Sequence, residues 1–188
     1  MEQAQPAVYF FGKLNQSRDF VASADIEQQD RHFWEGWFNR CGGQSRLIPF
    51  TRKTNTAPRI WLFCILQPEM NYTGLAALSA DQTGRRYPFV LFRKHDAFET
   101  NLLQRLQEMS AYSGVFQAIL NEGKSAKDKH FAPTDTQAEH LDFPPNLTQR
   151  LQSHSTGAHS VWYALSDRHY LESEGMPSCA LFNKLFGF

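Results

Sequence analysis

The run Ile60–Leu66, IWLFCIL, is the feature that most constrains the fold. It is far too short to cross a bilayer, which takes about 20 apolar residues. An uninterrupted apolar run of this length suits a strand that is covered on both faces. Such a strand needs neighbouring strands beside it and further elements packed above and below. The run therefore predicts a sheet with a buried middle.

Two more strands are predicted after short turns. Residues 68–71 (PEMN) carry turn-forming types before an apolar segment at 72–79. Residues 81–84 (DQTG) then place Asp and Gly where a type I turn favours them, before a strand at 87–93. Turns this short join antiparallel neighbours. Gly74, inside the middle strand, predicts the close approach of a neighbouring backbone.

Helical periodicity predicts three helices. Apolar residues recur about every 3.6 positions over residues 26–38, and Cys41-Gly42-Gly43 ends that pattern. The same periodicity extends to Gly123 from a capping box formed by Asp96 and Glu99. A shorter helix is predicted after residues 175–177 (GMP).

The predicted elements make one α/β domain over residues 1–188. With further strands at 8–11 and 159–165, we expect a mixed, largely antiparallel sheet with helices on both faces, a three-layer sandwich. A chain of 188 residues fits a single domain of about 100–200 residues. Residues 124–148 are polar and contain three prolines, which predicts a mobile surface loop.

The charges balance, with 19 Lys and Arg against 19 Asp and Glu. Binding driven by phosphate groups needs a basic excess, so no nucleic-acid partner is expected, and a chain without net charge tends to self-associate. The first residues, MEQAQP, lack the basic and apolar regions of a signal peptide. The three cysteines form no CxxC pair, and their odd number favours a reducing compartment. We therefore expect a cytoplasmic protein without membrane insertion that can form a homo-oligomer.

Side chains for catalysis or metal binding are not grouped in the sequence. The seven histidines are scattered, and none falls in an HxH or HExxH pattern. A Gly-x-Ser-x-Gly elbow and a Gly-rich phosphate loop do not occur. The sequence predicts no metal, no cofactor and no enzymatic activity.

Polar residues beside predicted turns, together with one aromatic residue, are the candidates for a binding surface: Arg18, Asp19, Trp37, Ser79, Asp81 and Arg85. One interpretation is local, with Asp81 capping its own turn and Arg85 pairing with a nearby carboxylate. The other is a polar rim of a protein-binding surface beside an aromatic anchor such as Trp37, which could equally fill the core. Asp19 and Arg85 are further predicted to meet as an ion pair.

Several motifs occur in order along nearly the whole chain: FGKL at 11–14, DFV at 19–21, WEGWF at 34–38, IWLF at 60–63, SADQTGR at 79–85, YPF at 87–89, SVWY at 160–163 and GMP at 175–177. Together they resemble the TagF/ImpM family of bacterial type VI secretion, and the SxDxxGR pattern is the most specific of them. This chain departs from the family pattern at four positions. Asn15 replaces proline and Arg18 replaces glycine, while Arg86 replaces an aromatic residue and Tyr87 replaces phenylalanine.

The resemblance implies an α/β sandwich without known catalysis. It also implies a cytoplasmic accessory that represses secretion after translation, through the forkhead-associated (Fha) scaffold of the system. Two alternatives stay open. One is a small-ligand-binding protein or enzyme with a site near Asp19, Asp81 and Arg85, which a buried cleft with a perturbed carboxylate would favour. The other is a structural subunit of the secretion apparatus.

Overall fold

The computed structural model describes residues 7–14, 17–42, 58–80, 86–97, 101–122, 141–152 and 158–187. The strands in these ranges are β1 (Tyr9–Gly12), β2 (Val21–Ala22), β3 (Ile60–Leu66), β4 (Met70–Ala80), β5 (Arg86–Asp96), β6 (His159–Ala164) and β7 (Tyr170–Glu174). The helices are α1 (Gln28–Gly42), α2 (Leu102–Ser110), α3 (Ser113–Glu122), α4 (Pro145–Gln152) and α5 (Cys179–Phe186).

The described strands form one sheet in the order β2-β1-β5-β4-β3-β6-β7, and neighbouring strands are antiparallel throughout. The α/β class is confirmed, and so is the meander of β3, β4 and β5. The apolar run forms β3, which lies between β4 and β6. Gly74 of β4 is needed for that packing, because a Cβ atom there would lie 2.3 Å from the Leu91 carbonyl oxygen and 2.6 Å from the Phe63 ring.

Alternate residues of the strands contribute to two separate cores. In β3, Trp61, Phe63 and Ile65 belong to a core that contains residues of α1 and α5. Leu62 and Cys64 belong to a second core with residues of α2, α3 and α4. Burial raises the pKa of the Cys64 thiol to about 12, so this cysteine behaves as a small apolar side chain. A regular three-layer stacking of these elements stays a prediction.

The long helix predicted from Asp96 is two helices, and its predicted cap is wrong. Asp96 is the last residue of β5, and α2 begins after Asn101. The chain turns at Ala111 and Tyr112 before α3. This turn lets the Tyr112 hydroxyl accept a 2.7 Å hydrogen bond from the buried guanidinium of Arg93. The break between α2 and α3 therefore places Tyr112 in contact with β5, and helical periodicity does not predict this contact.

Three of the described elements were not predicted. Strand β2 is only two residues long, Val21–Ala22. Helix α4 begins inside the segment expected to be a loop, where Leu147 and Leu151 are buried one turn apart between polar residues. Strand β7 is a half-polar edge strand, YLESE, whose composition is poor in typical strand formers. The predicted turn at 81–84 and most of the loop predicted at 124–148 lie outside the described residues.

Adjacent residues at the end of β5 carry ion pairs to different helices. Lys94 Nζ lies 3.0 Å from the buried carboxylate of Asp30 and 2.8 Å from Glu27, at the start of α1. Burial lowers the pKa of Lys94, but its hydrogen bonds to these carboxylates outweigh burial and raise it overall. The Tyr72 hydroxyl donates to Asp30 at 2.8 Å, and burial with this bond raises the pKa of Tyr72.

On the α2 side, Arg93 is 3% exposed and its Nη1 lies 3.3 Å from Glu108. Glu108 also receives a 3.1 Å hydrogen bond from Arg105, one turn earlier in α2. A buried charge is tolerated when it is paired and hydrogen-bonded in this way. Strand β5 is thus joined by charged side chains to α1 through Lys94 and to α2 through Arg93.

A disulfide joins Cys41, at the end of α1, to Cys179, at the start of α5. The sequence separation is 138 residues, so the bond closes most of the chain into one loop. An odd number of cysteines is compatible with a disulfide here, because the unpaired residue is the buried Cys64. The expectation of reduced cysteines is therefore wrong for Cys41 and Cys179.

Candidate functional site

Strand β1 ends tightly against β5 at Gly12. Its φ is +145°, and a Cβ atom there would lie 2.4 Å from the Pro88 carbonyl oxygen and 2.6 Å from Phe89 Cα. The next residue, Lys13, donates its backbone N–H to the same carbonyl at 3.4 Å. Only glycine fits at this place, so the loop that follows leaves the sheet in a fixed direction.

Lys13 organises the loop between β1 and β2. Its side chain is only 7% exposed, and its ammonium group lies 4.3 Å from the ring centroid of Tyr87 and 5.1 Å from that of Phe20. The same group donates to the Arg18 carbonyl oxygen at 3.1 Å. A cation held between two rings and a carbonyl fixes the backbone that carries Arg18.

A second set of bonds closes the start of this loop. The Leu14 N–H donates to Ser17 Oγ at 3.0 Å, and the Ser17 N–H donates back to the Leu14 carbonyl at 2.8 Å. The loop is therefore held at both ends before the chain enters β2 at Val21.

Three of the predicted site residues lie around this loop. Arg18 and Asp19 are exposed on it, and Ser79, 9% exposed, lies opposite Tyr87 in the β4–β5 register. We call this set the β1 corner: Lys13, Arg18, Asp19, Phe20, Ser79 and Tyr87. Asp81 and Arg85 lie outside the described residues, so the ion pair between Asp19 and Arg85 stays a prediction.

Trp37 belongs to the core, as the alternative interpretation held. It is 2% exposed, and its ring centroid lies 5.6 Å from that of Trp162 and 5.4 Å from that of Phe182. Trp61 is likewise buried and donates its indole N–H to the Leu185 carbonyl at 2.9 Å. Trp37 is therefore not an aromatic anchor beside the charged loop.

Lys13 is not among the site residues predicted from the sequence. The signal was present, because Lys13 is a basic residue inside the otherwise apolar segment 10–14, FFGKL. A lysine in such a position is either at a strand end facing solvent or buried against partners, and the sequence does not distinguish the two.

Within the described ranges, no group of three or more His, Cys, Asp or Glu side chains is arranged to hold a metal ion. No helix in this part of the chain combines the length and apolar character needed to cross a membrane. The chemistry visible at the β1 corner is therefore a fixed cation beneath two exposed, oppositely charged side chains.

A family model described as the TagF N-terminal domain, type VI secretion system-associated, matches residues 9–139. The chain belongs to this family. The resemblance drawn from the motifs is confirmed, and the protein is associated with type VI secretion. The TagF model covers the β1 corner, β3, β4, β5 and α1 to α3.

The fold is similar to a solved structure, that of PA0076 from Pseudomonas aeruginosa PAO1. The TM-score is 0.55 at 17% identity, over 97% of this chain and 95% of that one. At this identity the similarity concerns the fold alone. No curated protein matches the sequence.

Proposed function

We propose that this TagF-family chain is a cytoplasmic negative regulator of type VI secretion that acts after translation by binding another protein. Its proposed partner is the Fha scaffold, and it acts by occupying a surface that the machine needs for assembly or firing. The proposal combines membership of the TagF family with the fixed, exposed charges of the β1 corner.

The proposal rests on the exposure of Arg18 and Asp19 on a loop with a fixed backbone. Both side chains are exposed, while the loop beneath them is held by buried Lys13. Exposed charges on a fixed backbone suit recognition of a partner, because placement and sign determine specificity and the rate of encounter. A small-ligand site or enzyme near Asp19 would be favoured by a buried cleft, whereas Asp19 is exposed.

The regulatory role is tested by secretion of the tube protein. Deleting the gene should raise secretion, and overproduction should lower it. Unchanged secretion in both strains would reject a regulatory role. Stable cofractionation with the assembled machine would favour the structural-subunit alternative.

The binding surface is tested by pull-down of the Fha scaffold from the same organism. Asp19→Lys should abolish capture, because it reverses a charge on the fixed loop. The matched control is Glu69→Lys, an equal reversal at the exposed turn before β4, at the opposite end of the sheet from Ser79. Equal capture by both variants would exclude the β1 corner as the contact.

The cytoplasmic location can be tested by fractionation combined with thiol trapping. Disulfides are rare in cytosolic proteins. Reduced Cys41 and Cys179 in intact cells would therefore support a cytoplasmic location, and an oxidised pair would count against it. Recovery of the chain from the periplasm would reject this part of the proposal.

A further inference from the structure

A groove lies between α1 and the segment that leads into α5. Its volume is about 250 Å³, and its lining residues in the described part of the chain are His32, Phe33, Gly36, Trp37, Arg40, Met176 and Pro177. The α1 residues fall on one face, since 32, 36 and 40 are one turn apart, as are 33 and 37. The volume is below the range of about 300–1,000 Å³ usual for small-molecule pockets, so the groove suits one or two side chains of a peptide.

Gly36 is unexplained by the fold. It lies inside α1, where glycine is a poor helix former. A Cβ atom added to it would meet no atom within 4 Å, so packing does not require the missing side chain. Gly74, by contrast, is hemmed in by Leu91 and Phe63. A glycine facing open space at the floor of a groove leaves room for another chain to come close to the helix.

The walls of the groove combine apolar and cationic groups. Met176 is 46% exposed, which is unusual for a large apolar side chain in the described part of this structure, and it lines the groove together with Phe33 and Trp37. His32 and Arg40 are exposed, and the described lining contains no acidic side chain. The surface is thus complementary to an apolar side chain with a carboxylate next to it.

The two walls are covalently held together. The disulfide joins Cys41, next to Arg40, to Cys179, two residues after Pro177. Trp37, which lines the groove, also packs edge-on against Phe182 of α5 at 5.4 Å. A groove whose walls are fixed before binding loses less conformational entropy when it is filled.

From these observations we propose that the groove binds a peptide segment of a partner protein that carries one apolar anchor residue beside an aspartate or glutamate. The anchor lies over Gly36 between Trp37 and Met176, and the carboxylate pairs with Arg40. The groove shares no residue with the β1 corner, so this proposal does not depend on the proposed function.

The test uses a random peptide library displayed on phage, selected on the intact oxidised chain and depleted on Gly36→Leu. The added leucine should fill the groove without touching the core. Asn39→Leu, an exposed position of α1 outside the lining, is the matched control. Enriched peptides should contain an aliphatic or aromatic residue next to Asp or Glu. A selection that enriches nothing, or enriches basic or uncharged peptides, overturns the proposal.

The best peptide is then labelled, and its affinity is measured by fluorescence anisotropy. Gly36→Leu should weaken binding at least about tenfold, because the anchor loses its buried site, while Asn39→Leu should leave it unchanged. Met176→Ser, at an exposed wall, gives a second variant with little risk to folding and should also weaken binding. Equal binding to wild type, Gly36→Leu and Met176→Ser would place the peptide elsewhere and reject the groove.

The ion pair is tested by a double-mutant cycle. Changing the acidic residue of the peptide to its amide should weaken binding about two- to fivefold. The same change should have no effect on Arg40→Gln, since the partner charge is already gone. Additive losses would reject the pairing. A wild-type dimer that Gly36→Leu dissociates would instead show that a second copy of the chain fills the groove.

Discussion

Breaking the disulfide between Cys41 and Cys179 should cause the largest loss of stability of the changes considered for this fold. The bond closes a loop spanning a sequence separation of 138 residues. In the chain-entropy model, a cross-link of this length lowers the entropy of the unfolded chain by the equivalent of about 5 kcal/mol at 25 °C. Domains are typically stable by only about 5–15 kcal/mol, so reduction should remove a large share of the total.

The contacts beside the bond indicate what reduction should leave intact. Trp37 stays packed against Phe182 at 5.4 Å, and the Trp61 indole still donates to the Leu185 carbonyl. These interactions hold α5 against α1 and the sheet without covalent help. We therefore expect the reduced protein to keep its near-ultraviolet aromatic circular dichroism in buffer while its free energy of unfolding falls.

The assay is unfolding in guanidinium chloride with and without dithiothreitol, for wild type and for a Cys41→Ala/Cys179→Ala double variant. Reduction should move the wild-type midpoint down towards that of the double variant, whose own midpoint should not respond to dithiothreitol. Cys64 is a free thiol in both proteins, so its contribution cancels. Coincident midpoints for oxidised and reduced wild type would refute the loop-entropy reasoning.

Three further predictions follow from contacts described above. Gly36→Ala should raise the free energy of unfolding by up to about 1 kcal/mol, because alanine favours the helix more than glycine does. Gly74→Ala should lower it by about 1–3 kcal/mol, because the added Cβ would overlap β5. Denaturation midpoints of the two variants that move in the same direction would contradict this packing. The pKa values of Tyr72 and Lys94 are raised in the folded protein. Their contribution to the free energy of unfolding is therefore complete below the ordinary pKa values of about 10, and it is lost as the pH rises above them. Unfolding curves between pH 8 and pH 11 should show this fall, and Tyr72→Phe should make it shallower; an unchanged slope would exclude Tyr72 as a source. Lys13→Met should destabilise the β1 corner by about 1–2 kcal/mol through the lost cation–π contacts and hydrogen bond, and faster amide hydrogen exchange of residues 17–20 with little change at β3 would be the signature.

The features of the fold that depend on the pattern of apolar residues were predicted correctly from the sequence. The limits of β3 were correct, and Gly74 was correctly expected to allow close backbone approach. The errors arise where a distant partner decides the local structure. Asp96 looked like a helix cap, but it pairs with Met70 as the end of β5. Tyr112, at the turn between α2 and α3, accepts a hydrogen bond from Arg93, 19 residues away in sequence, and propensity does not encode such a contact.

The candidate site was only partly predictable for the same reason. Arg18, Asp19 and Ser79 were chosen because they flank turns, and the β-register does bring Ser79 and Tyr87 to the corner where the loop lies. Trp37 is buried away from the charged loop, because aromatic residues on an amphipathic helix usually face the core. It contributes to a surface only as part of the lining of the groove between α1 and the segment before α5. Gly36 escaped notice, since the absence of a side chain becomes informative only when the space around it is known.

The position of α5 in the chain has a consequence for the order of folding during synthesis. The core that contains α2, α3 and α4 draws on residues up to Tyr163 among its buried members, so it can be completed while α5 is still being made. The aromatic face of α1 gains its contacts with Phe182 and Phe186 only when α5 is made. Domains fold as they emerge from the ribosome. Until α5 is made, Trp37 and Phe38 of the nascent chain lack the cover that Phe182 supplies, while Trp162 and Phe11 of the sheet can already contact them. A chain cut before α5 would leave this side of the aromatic core open to chaperones and proteases.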